Sequence, residues 1–445
     1  MKRIAGALVL VMSMFSPLIA QEQPPGTHTL EQCITLSLEQ SPAVLSAEKE
    51  IKRSDGIVWE TWADIVSADI SAEYTTAGPG GGSSISSSRD DFSVDLGGSV
   101  PIFSGGRVIN GILTAYRTRD VAREQYRRAV NETVYDVTTT FGQILLDREV
   151  AKVRSEEVDF LTKTYDATKT RYDTGMASWF EFLRTQVELT NAEPSLMEAE
   201  DSLANDTDDL KKVLGMDVGR PLDIEGELAF DEATRNLDEC LNKARADNPD
   251  IRIAYLEEEI TRKNVRSVIG QYFPTISVFG RYGYSSDRLD ISFDGRDWEY
   301  TGGVMVTIPI TDIVVISARL KQARAEYDRA CISRRDTENT IEAEVRKAYR
   351  DLVRSQKLVK SQKENVALAK EGLDIAEIQY ENGINTYLEL MDTRLALTQA
   401  NLNYVNAVYS SMEAQARLSM LMGESPNVPG TPADGGPDGA VDSPR

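Results

Sequence analysis

Two spacings of apolar residues divide this chain. Ile341, Val345, Ala348, Leu352, Ser355, Val359, Gln362, Val366, Ala369, Leu373, Ala376 and Tyr380 step by four and three residues in turn, with polar interruptions only at Ser355 and Gln362. Neither proline nor glycine falls on this seam, which is the heptad stripe of a helix packed lengthwise on other helices. Taken from about Ser317 to Glu381 it predicts a rod on the order of 100 Å long, too long for a compact globule. The second spacing is every other residue. Ala68, Ile70, Ala72 and Tyr74 alternate with Ser67, Asp69, Ser71, Glu73 and Thr75, and Phe92, Val94, Leu96, Gly98 and Val100 alternate with Ser93, Asp95, Gly97 and Ser99. Ile276, Val278, Tyr282 and Tyr284 repeat the pattern loosely, and Trp298, Tyr300, Val304, Val306 and Ile308 repeat it sharply. Such alternation predicts strands with one apolar face.

The pattern occurs twice. LEQCITLSLEQSPAV from Leu30 returns as LDECLNKARADNPDI from Leu237, which aligns Cys33 with Cys240 and Pro42 with Pro249 at an offset of 207. The offset then becomes 208, pairing Pro101 with Pro309, Gly175 with Gly383 and Gly215 with Gly423. We read residues 21–218 as a first structural repeat, with a β-hairpin about 67–101 and a helical hairpin whose tip lies near 175. Residues 219–423 form the second, with a β-hairpin about 275–309 and a tip near 383. Each repeat runs helix, two strands, long helix, turn, helix.

For a single hairpin, a soluble sandwich and a transmembrane sheet are equally good readings. The long polar loops, AGPGGGSSISSSRDD and SSDRLDISFDGRD, and the aromatics Trp298 and Tyr300 at a membrane interface favour the membrane. Four strands cannot close a barrel, and open edges are not tolerated in lipid, so further copies must complete it. Two copies supply eight strands and three supply twelve; only the larger leaves an aqueous bore.

Composition narrows the function. Lys2 and Arg3 precede a short apolar run in MKRIAGALVLVMSMFSPLIA, which predicts a cleaved secretory signal over residues 1–20. With 41% hydrophobic and 27% charged residues there is no second run long enough for a membrane helix. A formal charge of −22 argues against nucleic acid as a partner. Cys33, Cys240 and Cys331 read as small buried hydrophobes, and His28, the only histidine, lies near a flexible start. No metal, cofactor or catalytic cluster is legible, and the match of Ser46 to Lys49 to S-x-x-K is a chance one. Residues 424–445, rich in Pro, Gly and Asp, read as a disordered tail.

RYDTGMASWFEF and its echo QYENGINTYLEL carry the turn chemistry. Gly175 and Gly383 stand where a helix must stop in a left-handed residue. Ser178 and Thr386 follow as N-caps, with Glu181 and Glu389 at capping-box spacing. Both phrases predict tight helical hairpins at one end of the molecule.

The doubled LEQC phrase, PIFSGG after a strand, and RYDTG before a leucine-bearing helix resemble the TolC-like outer membrane efflux protein family, over about Thr29 to Gly423. The resemblance implies an α+β membrane protein: a long antiparallel α-helical coiled-coil barrel plus a transmembrane β-barrel of four strands per chain, twelve in a trimer, internally duplicated. A mixed equatorial region falls to the shorter helices near Leu30 to Ser54 and Leu237 to Arg266. It implies a homotrimer in outer membrane lipid with a periplasmic helical extension. By the same resemblance the duct would serve as the exit for an inner-membrane transporter joined through a periplasmic adaptor, without enzymatic activity, with drugs, metal ions and polypeptides all open as cargo. By position, Glu389 and Asp392 match acidic rings at the periplasmic gate, and Tyr380 and Glu181 match positions that latch adjacent hairpins. Gly175, Ser178, Gly383 and Thr386 lie at the tip where an adaptor docks. Asn385 stands where the family's best-known member has an arginine, which puts a charge-assisted latch to Glu181 in question. Read from the residues alone, capping accounts for Glu389, the seam for Tyr380 and a solvated face for Asp392. A periplasmic coiled-coil scaffold without a pore is the alternative reading.

Overall fold

The computed structural model describes residues 27–77, 89–232, 234–286, 298–382 and 384–424. The secretory signal, most of both polar loops, Gly383 and the tail beyond Glu424 therefore lie outside the described residues. Each repeat opens with two helices: α1 (Leu30–Gln40) and α2 (Pro42–Ala63) in the first, α5 (Leu237–Asp247) and α6 (Pro249–Gly270) in the second. These run past Ser54 and Arg266 and are broken at a proline, because the residue before proline leaves the helical region. Ser41 and Asn248 accordingly have extended ψ angles of 127° and 124°, while Pro42 and Pro249 start the next helix, where their missing N–H costs nothing.

Strands β2 (Ser67–Ala77) and β3 (Arg89–Phe103) lead into α3 (Arg107–Asp173), and α4 (Trp179–Val213) returns. In the second repeat β5 (Thr275–Ser286) and β6 (Trp298–Thr307) lead into α7 (Ile313–Glu381) and α8 (Tyr387–Leu421). The helix expected from about Ser317 begins four residues earlier, at Ile313, and its 69 residues give a rod of about 100 Å. Along it Ile341, Val345, Ala348, Leu352, Ser355, Val359, Leu373 and Ala376 are buried, as the heptad stripe requires. Two short strands, β1 (Thr27–His28) and β4 (Asp223–Ile224), pair in parallel. His28 is thus held by backbone bonds, including Glu225 N–H to the His28 carbonyl at 3.0 Å, and is not part of a flexible start.

The duplication is carried into the packing. In the first repeat Cys33, Val137, Ile144, Leu210 and Leu214 form one buried cluster. Their partners Cys240, Val345, Leu352, Leu418 and Met422 form the corresponding one in the second. In each repeat the returning helix ends against the break between the short pair. Gly215 and Gly423, at φ +73° and +68°, turn the chain there. A Cβ on Gly215 would lie 2.5 Å from the Gln40 carbonyl oxygen, and one on Gly423 2.4 Å from that of Asp247. Asn248 accepts from the N–H groups of Asp250 and Ile251 and donates to the Leu421 carbonyl, joining the two helix ends. Cys33 and Cys240 are buried free thiols as expected, and Cys331 is only half-buried. Glu424, read as the start of the tail, is instead paired with Arg235 at 2.8 Å and Lys243 at 2.7 Å.

The four long strands form one antiparallel sheet in the order β2-β3-β5-β6, leaving β2 and β6 as edges. Its alternation is the one read from sequence. Ile70, Tyr74, Leu96, Val278, Tyr300, Val304 and Val306 are all exposed on one face, Ile70 at 77% and Tyr300 at 88%. No helix among the described residues is long and apolar enough to cross a membrane.

Candidate functional site

The two helical hairpins meet at the end of the molecule away from the sheet. Gly175, at φ +75°, donates its N–H to the Tyr172 carbonyl at 2.9 Å, and Met176 donates to the Arg171 carbonyl at 2.7 Å. This is the paired closure of a helix by a left-handed residue. In the second hairpin Ile384 makes the equivalent bond to the Gln379 carbonyl at 2.8 Å, beside the undescribed Gly383. Thr386 caps α8 reciprocally: Glu389 N–H donates to Thr386 Oγ1, and Glu389 Oε2 accepts from the Thr386 N–H at 2.9 Å. At Ser178 only half of this expected box forms. Glu181 N–H donates to Ser178 Oγ at 3.1 Å, with no return bond from the Glu181 carboxylate.

Helix α4 starts instead with an aromatic cluster, in which Phe182 stacks on Tyr172 at 5.4 Å and Trp179 lies against both. Stacking of this kind sets the angle at which the chain re-enters the bundle.

What joins the hairpins is a set of cross-repeat polar contacts over a small core. Arg171 donates to the Tyr380 hydroxyl at 2.8 Å and lies over its ring. The Tyr387 hydroxyl donates to Glu188 at 3.1 Å, and Arg184 holds the other Glu188 oxygen at 3.0 Å. Burial, with the Glu188 charge beside it, pushes the Tyr387 phenol far up, so it stays a donor. Beneath these contacts Leu161, Leu373, Ala376, Leu390 and Met391 are buried together.

Asp392 and Glu389 are exposed on α8, one turn apart. The Arg184 guanidinium is bonded first to Glu188 and also feels the Asp392 charge, which holds its pKa above the ordinary arginine value. The arrangement offers charge compensation and directional bonds but no nucleophile or base poised on a cavity, and no group of metal-ligating side chains occurs among the described residues.

The sequence profile described as outer membrane efflux protein matches this chain twice, over residues 33–216 and 240–424. The chain belongs to the outer membrane efflux protein family. The outer membrane protein TolC of Vibrio cholerae is 20% identical to it over 314 residues, covering 70% of this chain and 72% of that protein. The outer membrane channel CmeC of Campylobacter jejuni superposes with a TM-score of 0.81 at 17% identity, covering 88% of this chain and 85% of that one. VceC of Vibrio cholerae gives 0.79 at 18% identity, over 88% and 96%. At these identities the solved structures speak for the fold, a helical-barrel wall joined to a β-domain, and the family places the chain in the outer membrane.

In this efflux-family chain the site residues expected from sequence separate into groups. Tyr380 is bonded across the two hairpins by Arg171. Glu181 supplies its backbone N–H to the Ser178 cap. Arg171, Arg184, Glu188 and Tyr387 escaped the sequence reading as contact residues; Arg171 and Tyr387 lie inside the two glycine phrases, but at the offset of 208 none of the four falls on an identical residue, so no repeat marked them. Trp298, expected to be exposed, is half-buried because Tyr282 stacks on it at 5.1 Å and Tyr284 covers it at 5.4 Å. Tyr300 stands free on the apolar face.

Proposed function

We propose that three copies of this chain form one passive conduit, the exit duct of a transport complex that reaches it through a periplasmic adaptor and an inner-membrane transporter. The observation that carries this reading is the sheet. Its apolar face is exposed and both edge strands are unpaired, and in lipid each unsatisfied backbone group costs several kcal/mol. Three four-stranded sheets close as twelve strands around a water-filled bore, whereas two copies leave an interior that side chains fill. The conduit needs no cofactor and performs no chemical step.

Its periplasmic mouth is the hairpin end. Asp392 and Glu389, repeated in three copies, line a narrow axis with carboxylates, and Arg184 and the Thr386 cap offset part of their repulsion. The Arg171–Tyr380 bond holds the two hairpins of a chain in the closed arrangement, and Glu181 supports the mouth through the cap. Gly175, Ser178 and Thr386 shape the turns on which an adaptor docks, with Gly383 assigned to the same docking end from its place in the sequence, and Trp298 and Tyr300 mark the membrane interface.

Cross-linking in detergent should give a trimer with measurable conductance in planar bilayers. Replacing Glu389 and Asp392 by alanine should raise that conductance and weaken block by multivalent cations. A chain that remains soluble and monomeric without detergent would overturn the duct in favour of a periplasmic scaffold.

A further inference from the structure

We propose that Asp147 and Asp206 share one proton, and that this carboxyl–carboxylate bond is a pH-released clasp between α3 and α4 at the root of the first helical hairpin. Asp147 is 7% exposed and lies one turn beyond the buried residues Phe141, Ile144 and Leu145. Its Oδ1 accepts from Gln143 Nε2 at 3.1 Å, while its buried Oδ2 has no donor. The group within hydrogen-bonding reach is the Asp206 carboxyl of α4, itself only half-buried. A buried carboxylate in contact with a second one is strongly disfavoured when both are ionised, and a single proton between them supplies the missing donor and removes the repulsion.

The surroundings offer no alternative counterion. From α8, the Tyr409 phenol feels the charges of both acids together with that of Glu413 on its own helix and of Tyr135 on α3, none of them cationic. Arg148, the next residue on α3, is turned away to Asp223 and the Ile224 carbonyl. Among the described residues no cation contributes to the surroundings of Asp147. Burial first, and Asp206 second, accordingly push Asp147 up to about 7.

The duplicated half shows that the fold does not need acids here. At the same offset of 208, Asp147 corresponds to Ser355, buried with its hydroxyl bonded to the Leu352 carbonyl, and Asp206 corresponds to Ala414. The second hairpin is thus rooted by neutral packing and the first by a proton. When pH rises the proton leaves through half-buried Asp206 to solvent, and the α3–α4 root loosens while the α7–α8 root does not. The proton is held below about pH 7 and is lost as pH rises through that value. This inference concerns helices within one chain and does not depend on the duct reading, so its failure would leave that reading in place.

The test uses the full chain in detergent, with His28→Gln as the background because a histidine ordinarily titrates in the same window. Infrared difference spectra should show a protonated carboxylic acid at pH 6 that disappears by pH 8.5, and it should be absent from Asp147→Asn and from Asp206→Asn. Amide exchange, corrected for its intrinsic pH dependence, should speed up about tenfold at the α3–α4 root over that range. It should stay flat in Asp147→Ser/Asp206→Ala, which copies the second repeat and so keeps its fold. The proposal fails if no such band exists at pH 6, if the band survives both asparagine variants, or if exchange in the Ser/Ala variant follows the parent. It fails equally if EDTA alone abolishes the pH dependence, since that assigns the site to a divalent cation.

Discussion

Substituting three left-handed glycines by alanine tests how the helix ends are joined. Gly175, Gly215 and Gly423 have nearly the same φ, +75°, +73° and +68°, so the backbone strain of a side chain is similar at each, about 1–2 kcal/mol. Their surroundings differ. An added Cβ meets nothing within 4 Å at Gly175, but falls 2.5 Å from the Gln40 carbonyl oxygen at Gly215 and 2.4 Å from that of Asp247 at Gly423. Those distances are about 1 Å inside normal contact, and the obstacle is backbone, which cannot swing aside as a side chain does. The helix ends must part, and fully buried Leu214 and Met422 next to them lose packing. Overpacking and the resulting gap add about 2–3 kcal/mol. Gly175→Ala should therefore cost about 1–2 kcal/mol, and Gly215→Ala and Gly423→Ala about 3–5 kcal/mol, read from the heat-induced loss of helical circular dichroism in detergent. Asparagine separates the two causes because it tolerates the left-handed region yet still carries a Cβ. Gly175→Asn should recover most of the loss, and Gly215→Asn should recover little. If Gly215→Ala and Gly423→Ala are no more damaging than Gly175→Ala, the close approach of helix end to helix break has been misread.

Thr386→Ala removes the hydroxyl that accepts from the Glu389 N–H and donates to the Glu389 carboxylate, while the backbone half of the box survives; it should cost about 1 kcal/mol, more than Ser178→Ala, whose hydroxyl makes the one cap bond from the Glu181 N–H, and denaturant midpoints of the two variants decide it. Double-mutant analysis of Arg171→Ala with Tyr380→Phe should give a coupling near 0.5–1 kcal/mol in hairpin stability, and additive effects would mean that the bond contributes nothing. Burial works to raise the Glu424 carboxyl, but hydrogen bonds and charge from Arg235 and Lys243 together outweigh it and hold it down to about 2. Because the folded value lies below the unfolded one, the stabilisation is complete above about pH 4.5 and is lost as pH falls towards 2. Acid unfolding of Glu424→Gln should lack this component, on the order of 2 kcal/mol, and an acid limb unchanged from the parent would exclude it.

Periodicity alone determined the elements of this chain. A stripe at three and four residues commits α7 to lengthwise helix packing, and alternation, strict in three strands and looser in the fourth, commits them to one apolar face, because both depend only on how neighbouring side chains project. Repetition exposed the duplication, and the glycine and hydroxyl phrases marked the hairpins, since turn chemistry is written in adjacent residues. Tertiary structure decided the pairings between elements. Arg171 finds Tyr380 across 209 positions, Gly215 abuts Gln40, and Asp147 faces Asp206 because helices from distant parts of the chain settle at one particular height and rotation. That setting comes from the sum of many small packing contacts along rods of about 100 Å, and no local spacing encodes it. For the same reason Glu389 and Glu181, at equivalent positions of the two repeats, part company in the fold: Glu389 closes a reciprocal cap, and Glu181 leaves its turn to be held by stacked aromatic rings.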